Sequence, residues 1–361
     1  MQTCNKCIVN DNYPGISFND KGECSLCDKQ KIYKPIGEDK LIKIFNDVKN
    51  TNVEYEALVP LSGGKDSTYI LHLAVNVYKL KVLSMTYDNG FLSQTALDNI
   101  ERAIKKTNVK HIFCKPDKEI QKNIYRNMLL YSGDICGACD IGTKVNIIKV
   151  AQDYSVPLVL YGTSPLEEDS FVPDSIQDIT RFKYILKQSK EFSKKEIEDF
   201  LIYPNLNLFK QSFYKSTGKM AREVRPLFFI ENPTDKRMGE VISKEMDWQD
   251  DFRQYSKHFD CIAEPLTNYI RNKIYGYERR RCQFSNMIRR NEISREQALE
   301  LFSLDKIEEL PENYKEILDY LNISEKELGD IIKIPSLKYE KHTSKTNKFY
   351  TRLMNIKKSI K

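Results

Sequence analysis

Between residues 58 and 71 the chain runs LVPLSGGKDSTYIL. A short apolar run ends in Ser62-Gly63-Gly64-Lys65-Asp66-Ser67, and a second apolar stretch follows. The first run reads as a buried strand and the second as a helix, so the glycine turn lies where a strand hands over to a helix N-terminus. Gly63 and Gly64 permit positive φ and close approach of a ligand. The first N–H groups of the helix and its positive dipole end suit a phosphate. Lys65 adds a mobile cation, and Ser62 and Ser67 offer hydroxyl donors. Asp66 is placed to cap the helix or to reach a bound Mg2+. The spacing is too short for a GxxxxGK(S/T) loop, and the string is not GxGxxG.

Outward from this turn, strand and helix patterns alternate. A helical period covers 38–50, where Leu41, Ile42, Ile44, Phe45 and Val48 recur on one face. Strands are expected at Tyr55–Leu61, Lys81–Asp88, His111–Lys115 and Pro157–Gly162. Helices are expected at Asp66–Tyr78, Ser93–Thr107, Ile120–Tyr131 and Gly142–Tyr154. Such alternation over some hundred residues predicts an α/β domain with a doubly wound parallel sheet. The alternation breaks after 165: EEDSFVPDSIQD reads as an exposed loop, FKYILKQSKEFSKKEIEDFLI as helix, and Val224–Ile230 (VRPLFFI) as a returning strand. From about 235 the pattern is helical and rich in Arg and Lys. Three domains are expected: 1–35, 36–232 and 233–361.

The length of 361 residues is ample for a globular core, with 40% hydrophobic and 30% charged residues. No apolar run is long enough to span a membrane. The opening MQTCNKC lacks the pattern of a signal peptide, so a cytoplasmic setting is expected. The net charge of +6 permits a phosphorylated or nucleotide substrate without demanding nucleic acid. The lysine-rich C-terminal tail reads as a solvated segment, with an RNA-binding arm as the sharper alternative.

Nine cysteines in such a chain point to metal or chemistry rather than to disulfides. Cys4-x2-Cys7 and Cys24-x2-Cys27 form two hooks suited to tetrahedral, structural Zn2+, a ribbon or knuckle over residues 1–35. DICGACD places Cys136 and Cys139 just before an expected helix, where a helix N-terminus favours thiolate. Cys261 is a third partner at a distance. A CxxC with a later single cysteine suits a [4Fe-4S] cluster with an open iron, a second metal, or a redox pair. Cys114, at the end of an apolar strand, reads as core. Cys282, in RRRCQF, reads as incidental.

The string SGGKDS resembles the PP-motif of the ATP pyrophosphatases. That resemblance implies the PP-loop type of α/β fold, with ATP and Mg2+ as ligands and Ser62 to Ser67 gripping the pyrophosphate. It also implies that Thr86-Tyr87-Asp88-Asn89-Gly90, at the end of the next strand, receives adenine and ribose, and that Gly162 faces the nucleotide. Thr86, Asp88 and Gly162 are carried over on that basis. Arg225 and the basic stretch Arg279–Arg281 are candidate cations for the developing charge.

The opening TCNKCIVNDNYPGISFNDKGECSLCD, and the later SNMIRRNEISREQALELF and LNISEKELGDIIKIPSLKY, look like the N-acetyl sugar amidotransferases within that superfamily. This implies adenylation of a sugar amide oxygen and its replacement by ammonia from a separate glutaminase partner, with catalysis at Lys65 and Asp66. Self-association through the helical C-terminal region is expected. Cys136, Cys139 and Cys261 depart from that pattern and are similar in order to the tRNA 2-thiolation branch. The alternative is therefore an iron–sulfur-dependent sulfur transferase acting on tRNA or on a small-molecule amide. A third reading is a non-catalytic zinc-ribbon binding module.

Overall fold

The computed structural model describes residues 2–13, 15–28, 34–164, 179–201, 220–231, 234–250 and 260–334. Its centre is a five-stranded parallel sheet. The strands are β1 (Ala57–Pro60), β2 (Val82–Tyr87), β3 (Lys110–Cys114), β4 (Leu158–Leu160) and β5 (Arg222–Val224), in the order β3-β2-β1-β4-β5. The order reverses between β1 and β4, which pair directly through Ala57–Leu158 and Leu58–Val159.

The central strands β1, β2 and β4 are buried on both faces, as their near-continuous apolar runs require, whereas the outer strands β3 and β5 are partly exposed. Side chains alternate between two cores. Ala57, Val59, Val82, Leu158 and Leu160 enter one core, which also contains residues of the helices described below at 38–49, 65–72, 94–107 and 235–246. Leu58, Leu83, Met85 and Val159 enter the other, with Ile147, Val150 and Ala151.

The helices are α1 (Ser25–Asp28), α2 (Glu38–Lys49), α3 (Lys65–His72), α4 (Gln94–Thr107), α5 (Lys118–Ser132), α6 (Cys136–Asp153), α7 (Ile179–Ser189) and α8 (Lys194–Leu201). Then come α9 (Asp235–Met246), α10 (Glu264–Tyr275), α11 (Arg279–Arg289), α12 (Arg295–Leu304), α13 (Tyr314–Tyr320) and α14 (Glu325–Ile331). Caps fix several starts: Ser93 accepts from the Ala96 amide on α4, and Asp117 from those of Glu119 and Ile120 on α5.

Three expectations need correction. The α6 helix begins at Cys136, six positions before the expected Gly142, so the CxxC occupies its first turn. The expected strand 224–230 stops at Val224 and becomes a 3-10 turn over Pro226–Phe228, because Pro226 has no N–H to give a ladder and a fixed φ. The helix expected over 66–78 is α only to His72, then a π-helical segment, Leu73–Val77. The loop expected around 167–178 and the basic tail lie outside the described residues.

A third core joins α5, α6, α7, α8, α10, α13 and α14 beside the carboxyl end of β2, with Phe91 at its edge. The N-terminal segment packs far from its neighbours in sequence: Cys4, Cys7, Tyr13, Cys24 and Cys27 share a cluster with Tyr277 and Cys282 of the C-terminal region. No described helix is long and apolar enough to cross a membrane.

Candidate active site

The loop after β1 lies at the point where the strand order reverses, outside the carboxyl ends of parallel strands, the usual ligand position in such sheets. Gly63 has φ +79°, and a Cβ there would meet the Ala96 carbonyl oxygen at 2.3 Å, so only glycine fits. The loop is closed on itself. The Ser67 hydroxyl accepts from the Ser62 amide at 3.1 Å and donates to the Gly64 carbonyl at 3.1 Å, and the two serine hydroxyls are 3.2 Å apart. Trp248 Nε1 and Asn99 Nδ2 donate to the Gly63 carbonyl at 3.0 and 3.2 Å. The loop's outer carbonyl is thus held by residues distant in sequence, leaving helix α3 to begin at Lys65 with Gly64 as its N-cap and no side-chain cap.

Asp66 therefore does not cap the helix. It lies 2.6 Å from Lys65 Nζ, and Asp235 of α9 lies 3.0 Å from the same nitrogen. Burial opposes the charge on Lys65, but the two carboxylates more than offset it, and the ammonium titrates above an ordinary lysine. Gly162 faces this loop from β4: a Cβ on it would meet the Asp66 carbonyl carbon at 2.9 Å.

The end of β2 connects the loop to the cysteines. Thr86 is buried and donates to the Leu61 carbonyl, so its hydroxyl ties β2 to the end of β1. Asp88 accepts from the Gly90 amide at 3.0 Å, forming a turn. Asn89 next to it places Nδ2 3.6 Å from Cys139 Sγ. Cys261 pairs with Leu92 in an isolated antiparallel bridge, and the neighbouring Ile262 amide donates to the Phe91 carbonyl at 2.8 Å. Cys136, Cys139 and Cys261 are thereby brought together, close enough for the charge of each to act on another.

Asp260 completes the link. Its carboxylate would stand 3.2 Å from a Cβ on Gly64, while the next residue is Cys261. One step of chain thus touches both the glycine loop and the thiol trio. Sequence reading missed Asp260, Asp235, Asn99 and Trp248, because nothing local marks them.

The trio does not carry the thiolate that a helix N-terminus alone predicts. All three cysteines are partly exposed, yet packing around the sulfurs dominates. Burial, then the charge of Cys136, pushes Cys139 up to about 12. Burial raises Cys136 against the opposing charge of Arg271, and raises Cys261 well above the usual thiol range. Arg271 of α10 is 3.2 Å from Asp134, which accepts the Cys136 amide at 2.8 Å and so fixes the start of α6.

The four N-terminal cysteines form a different arrangement. All are buried, their sulfurs all lie within 4.8 Å of one another, and among the described residues no other set of three or more metal-ligating side chains does so. The Cys4–Cys27 and Cys7–Cys24 sulfur pairs are 3.9 and 3.7 Å apart. A tetrahedral zinc with Zn–S near 2.3 Å places its sulfurs about 3.8 Å apart, so the set fits that ion. Hydrogen bonds from Cys24 and Cys27 lower the Cys7 thiol against its burial.

Part of the basic helix faces the N-terminal segment. Arg281 donates to the Ile8 carbonyl at 3.2 Å, and Arg289 Nη1 lies 3.9 Å from Cys7 Sγ. Arg280 pairs with Asp305 at 2.7 Å and stacks on Phe284. The charge of Arg279 acts on Cys136. Arg225 lies over the Phe228 ring. Cys282 is fully buried against the four-thiol cluster, so it is part of that core rather than incidental.

Residues 249–357 match the family model described as LPS biosynthesis protein WbpG-like, C-terminal domain. The WbpG-like stretch thus carries Asp260, Cys261, Arg271 and helix α11. No curated protein matches the chain. Among solved structures, the U34-tRNA thiolase NcsA from Methanococcus maripaludis with its [4Fe-4S] cluster is 12% identical, with 87% of this chain and 91% of that one covered and a TM-score of 0.35. The NH3-dependent NAD synthetase from Campylobacter jejuni is 13% identical over 58% of this chain and 91% of that one, with a TM-score of 0.33. The NMN synthetase from Francisella tularensis is 14% identical over the same shares, with a TM-score of 0.31.

Proposed function

We propose that the chain is an ATP-dependent transferase of the PP-loop pyrophosphatase kind, which adenylates an amide oxygen of an N-acetylated sugar and replaces it with nitrogen. The observation that carries the ATP site is the Ser62–Ser67 loop at the reversal of strand order, with Gly162 packed against Asp66. The sugar is supported by the match of residues 249–357 to the LPS biosynthesis protein WbpG-like, C-terminal domain.

In this mechanism the α3 N-terminus and Lys65 receive the β- and γ-phosphates of ATP, and Asp66 and Asp260 would hold Mg2+, which would supply charge neutralisation of the phosphates. The substrate oxygen attacks the α-phosphorus, and pyrophosphate leaves as that P–O bond breaks. Positive charge already fixed at the loop stabilises the developing negative charge without reorganising. Ammonia, delivered by a separate glutaminase, then adds to the activated carbon and AMP departs, leaving an amidine. The four N-terminal thiols would hold Zn2+ as a closed structural site, with no open position for chemistry.

A second reading is favoured by one observation: Cys136, Cys139 and Cys261 gather beside the loop. A CxxC with a third cysteine brought to it from a distant segment suits a [4Fe-4S] cluster, which would supply sulfur-delivery chemistry. The two readings separate by product mass. With ATP and an N-acetylated sugar, a product lighter than the acceptor means NH has replaced oxygen. A heavier product means sulfur has. Iron in anaerobically purified protein, lost in a Cys136→Ala/Cys139→Ala variant, would favour the second.

A further inference from the structure

The four N-terminal sulfurs raise a question of charge. Four thiolates around one Zn2+ leave two negative charges over, and all four cysteines are buried. An excess of that size out of water has to be balanced by donors and cations fixed nearby. The N-terminal backbone meets part of the need: the Cys7 and Cys24 amides donate to Cys4 Sγ at 3.4 and 3.1 Å.

The rest arrives from the other end of the sequence. Cys282, Ser285, Asn286 and Arg289 are spaced i, i+3, i+4, i+7, so they share one face of α11, and all four are buried. That face lies against the thiols. Cys282 belongs to their cluster, Ser285 Oγ accepts from the Ile8 amide at 3.3 Å, and Arg289 Nη1 lies 3.9 Å from Cys7 Sγ. Arg289 Nη2 donates to Asn286 Oδ1, which holds the guanidinium in that orientation. Arg295 opens α12, whose start is fixed by the capping box of Ser294 and Gln297. It reaches the first hook from the backbone side, donating to the Cys7 and Cys4 carbonyls at 3.1 and 3.4 Å. The two segments approach closely at Gly276, which has φ +69° and where a Cβ would run into Asn12. Asn12 Nδ2 donates to the Gly276 carbonyl at 3.0 Å.

Resting on the zinc reading of these thiols, we propose that the metal site is a composite of two distant segments, with Arg289 and Arg295 as its charge-balancing cations. Arg289 acts on a ligand sulfur directly. Arg295 is a positioning residue, acting through the backbone that carries Cys4 and Cys7. A planar guanidinium can serve Asn286 and a sulfur at once, which a lysine cannot do in the same geometry. The N-terminal hooks therefore hold the ion tightly only against α11, and residues 1–35 are not a free-standing module. The ion in turn clamps them to the WbpG-like stretch that carries Asp260 and Cys261.

The test uses the full chain, with two readouts: competition for Zn2+ against a chromophoric chelator, and the thiolate-to-cobalt charge-transfer absorption of the Co2+-substituted protein. The variants are Arg289→Met, Arg289→Lys, Arg295→Met and Arg280→Met. Arg280→Met breaks a buried ion pair of the same helix, with Asp305 at 2.7 Å, and so reports general damage to α11. Arg289→Met should weaken zinc roughly tenfold or more, with partial recovery in Arg289→Lys. It should also move the absorption to lower energy, because a sulfur that loses a cationic donor holds its electrons less tightly. Arg295→Met should weaken zinc a few-fold. Arg280→Met should leave the absorption where it is, whatever it does to stability. If Arg289→Met keeps the native absorption, or loses zinc no more than Arg280→Met does, the inference is overturned and the zinc site stands. If the native protein binds neither Zn2+ nor Co2+, the zinc reading falls and the inference with it.

Discussion

The two cysteine clusters differ in what surrounds them, and the difference separates holding from reacting. The N-terminal set has four buried sulfurs within 4.8 Å of one another and arginines fastened around it. It is complete without a substrate. The set of Cys136, Cys139 and Cys261 has three, partly exposed, beside a turn from β2 and one residue from a carboxylate that stands over the glycine loop. Closed coordination suits structure, whereas an incomplete thiol set next to a glycine loop at the reversal of strand order suits chemistry.

The largest expected contrast is in stability. Chelation, or a Cys4→Ser/Cys24→Ser variant, should destabilise the chain by on the order of 5 kcal/mol or more, read from the denaturant midpoint, because metal binding to four thiols is folding free energy. Equal stability with and without chelator would erase the distinction between the clusters. Acidification adds a contribution of its own from the sheet, to be read in chelator-treated protein so that acid release of a thiolate-bound metal does not overlap it. His111 sits on β3 with Ser84 Oγ at 2.8 Å, and burial lowers it from 6.5 to about 4. Since the unfolded imidazole takes a proton first, stability is complete above about pH 6.5 and falls as the pH drops toward 4, by roughly 3 kcal/mol. A His111→Gln variant should flatten that part of the pH profile.

Smaller effects sharpen the comparison further. Trp248→Phe removes the bond to the Gly63 carbonyl and should cost about 1–2 kcal/mol, with weakened ATP binding, because that carbonyl is left without one of its donors. Cys136→Ala should cost less, about 1 kcal/mol or under, because one small buried group is lost. Transfer activity, not the melting temperature, would carry its effect if the trio is chemical. Alkylation offers a readout on the native protein. With its thiol pushed up to about 12, Cys139 should react with iodoacetamide on the order of a hundred times more slowly at neutral pH than a free cysteine, the loss of thiolate being partly offset by its greater nucleophilicity.

Much of the site was readable because it is contiguous. Ser62 to Ser67 needs only a strand before it and a helix after it, and both follow from periodicity. The four-thiol set was readable for the same reason, as two short hooks with metal spacing. The failures have physical causes. Small residues Gly137 and Ala138 carry no helical period, so the start of α6 was placed late. Pro226 overrode an apolar run that otherwise matches a strand. Arg279–Arg281 read as candidate cations for the phosphate because charge is visible in a sequence while its direction is not. In the fold, Arg281 and Arg289 face the N-terminal segment and Arg290 its own Glu292. Asp235, Asp260 and Trp248 reach the loop only through tertiary packing, and no local pattern marks them.

The most direct measurement is single-turnover release of pyrophosphate from Mg2+-ATP in the presence of ammonia and N-acetylated sugars, comparing the native chain with Lys65→Ala, both verified as folded by circular dichroism. The account predicts release by the native chain and a loss of at least roughly 100-fold in the variant, because the fixed cation that meets the leaving pyrophosphate is gone. Release at the native rate by Lys65→Ala would contradict the assignment of the glycine loop as the adenylating site.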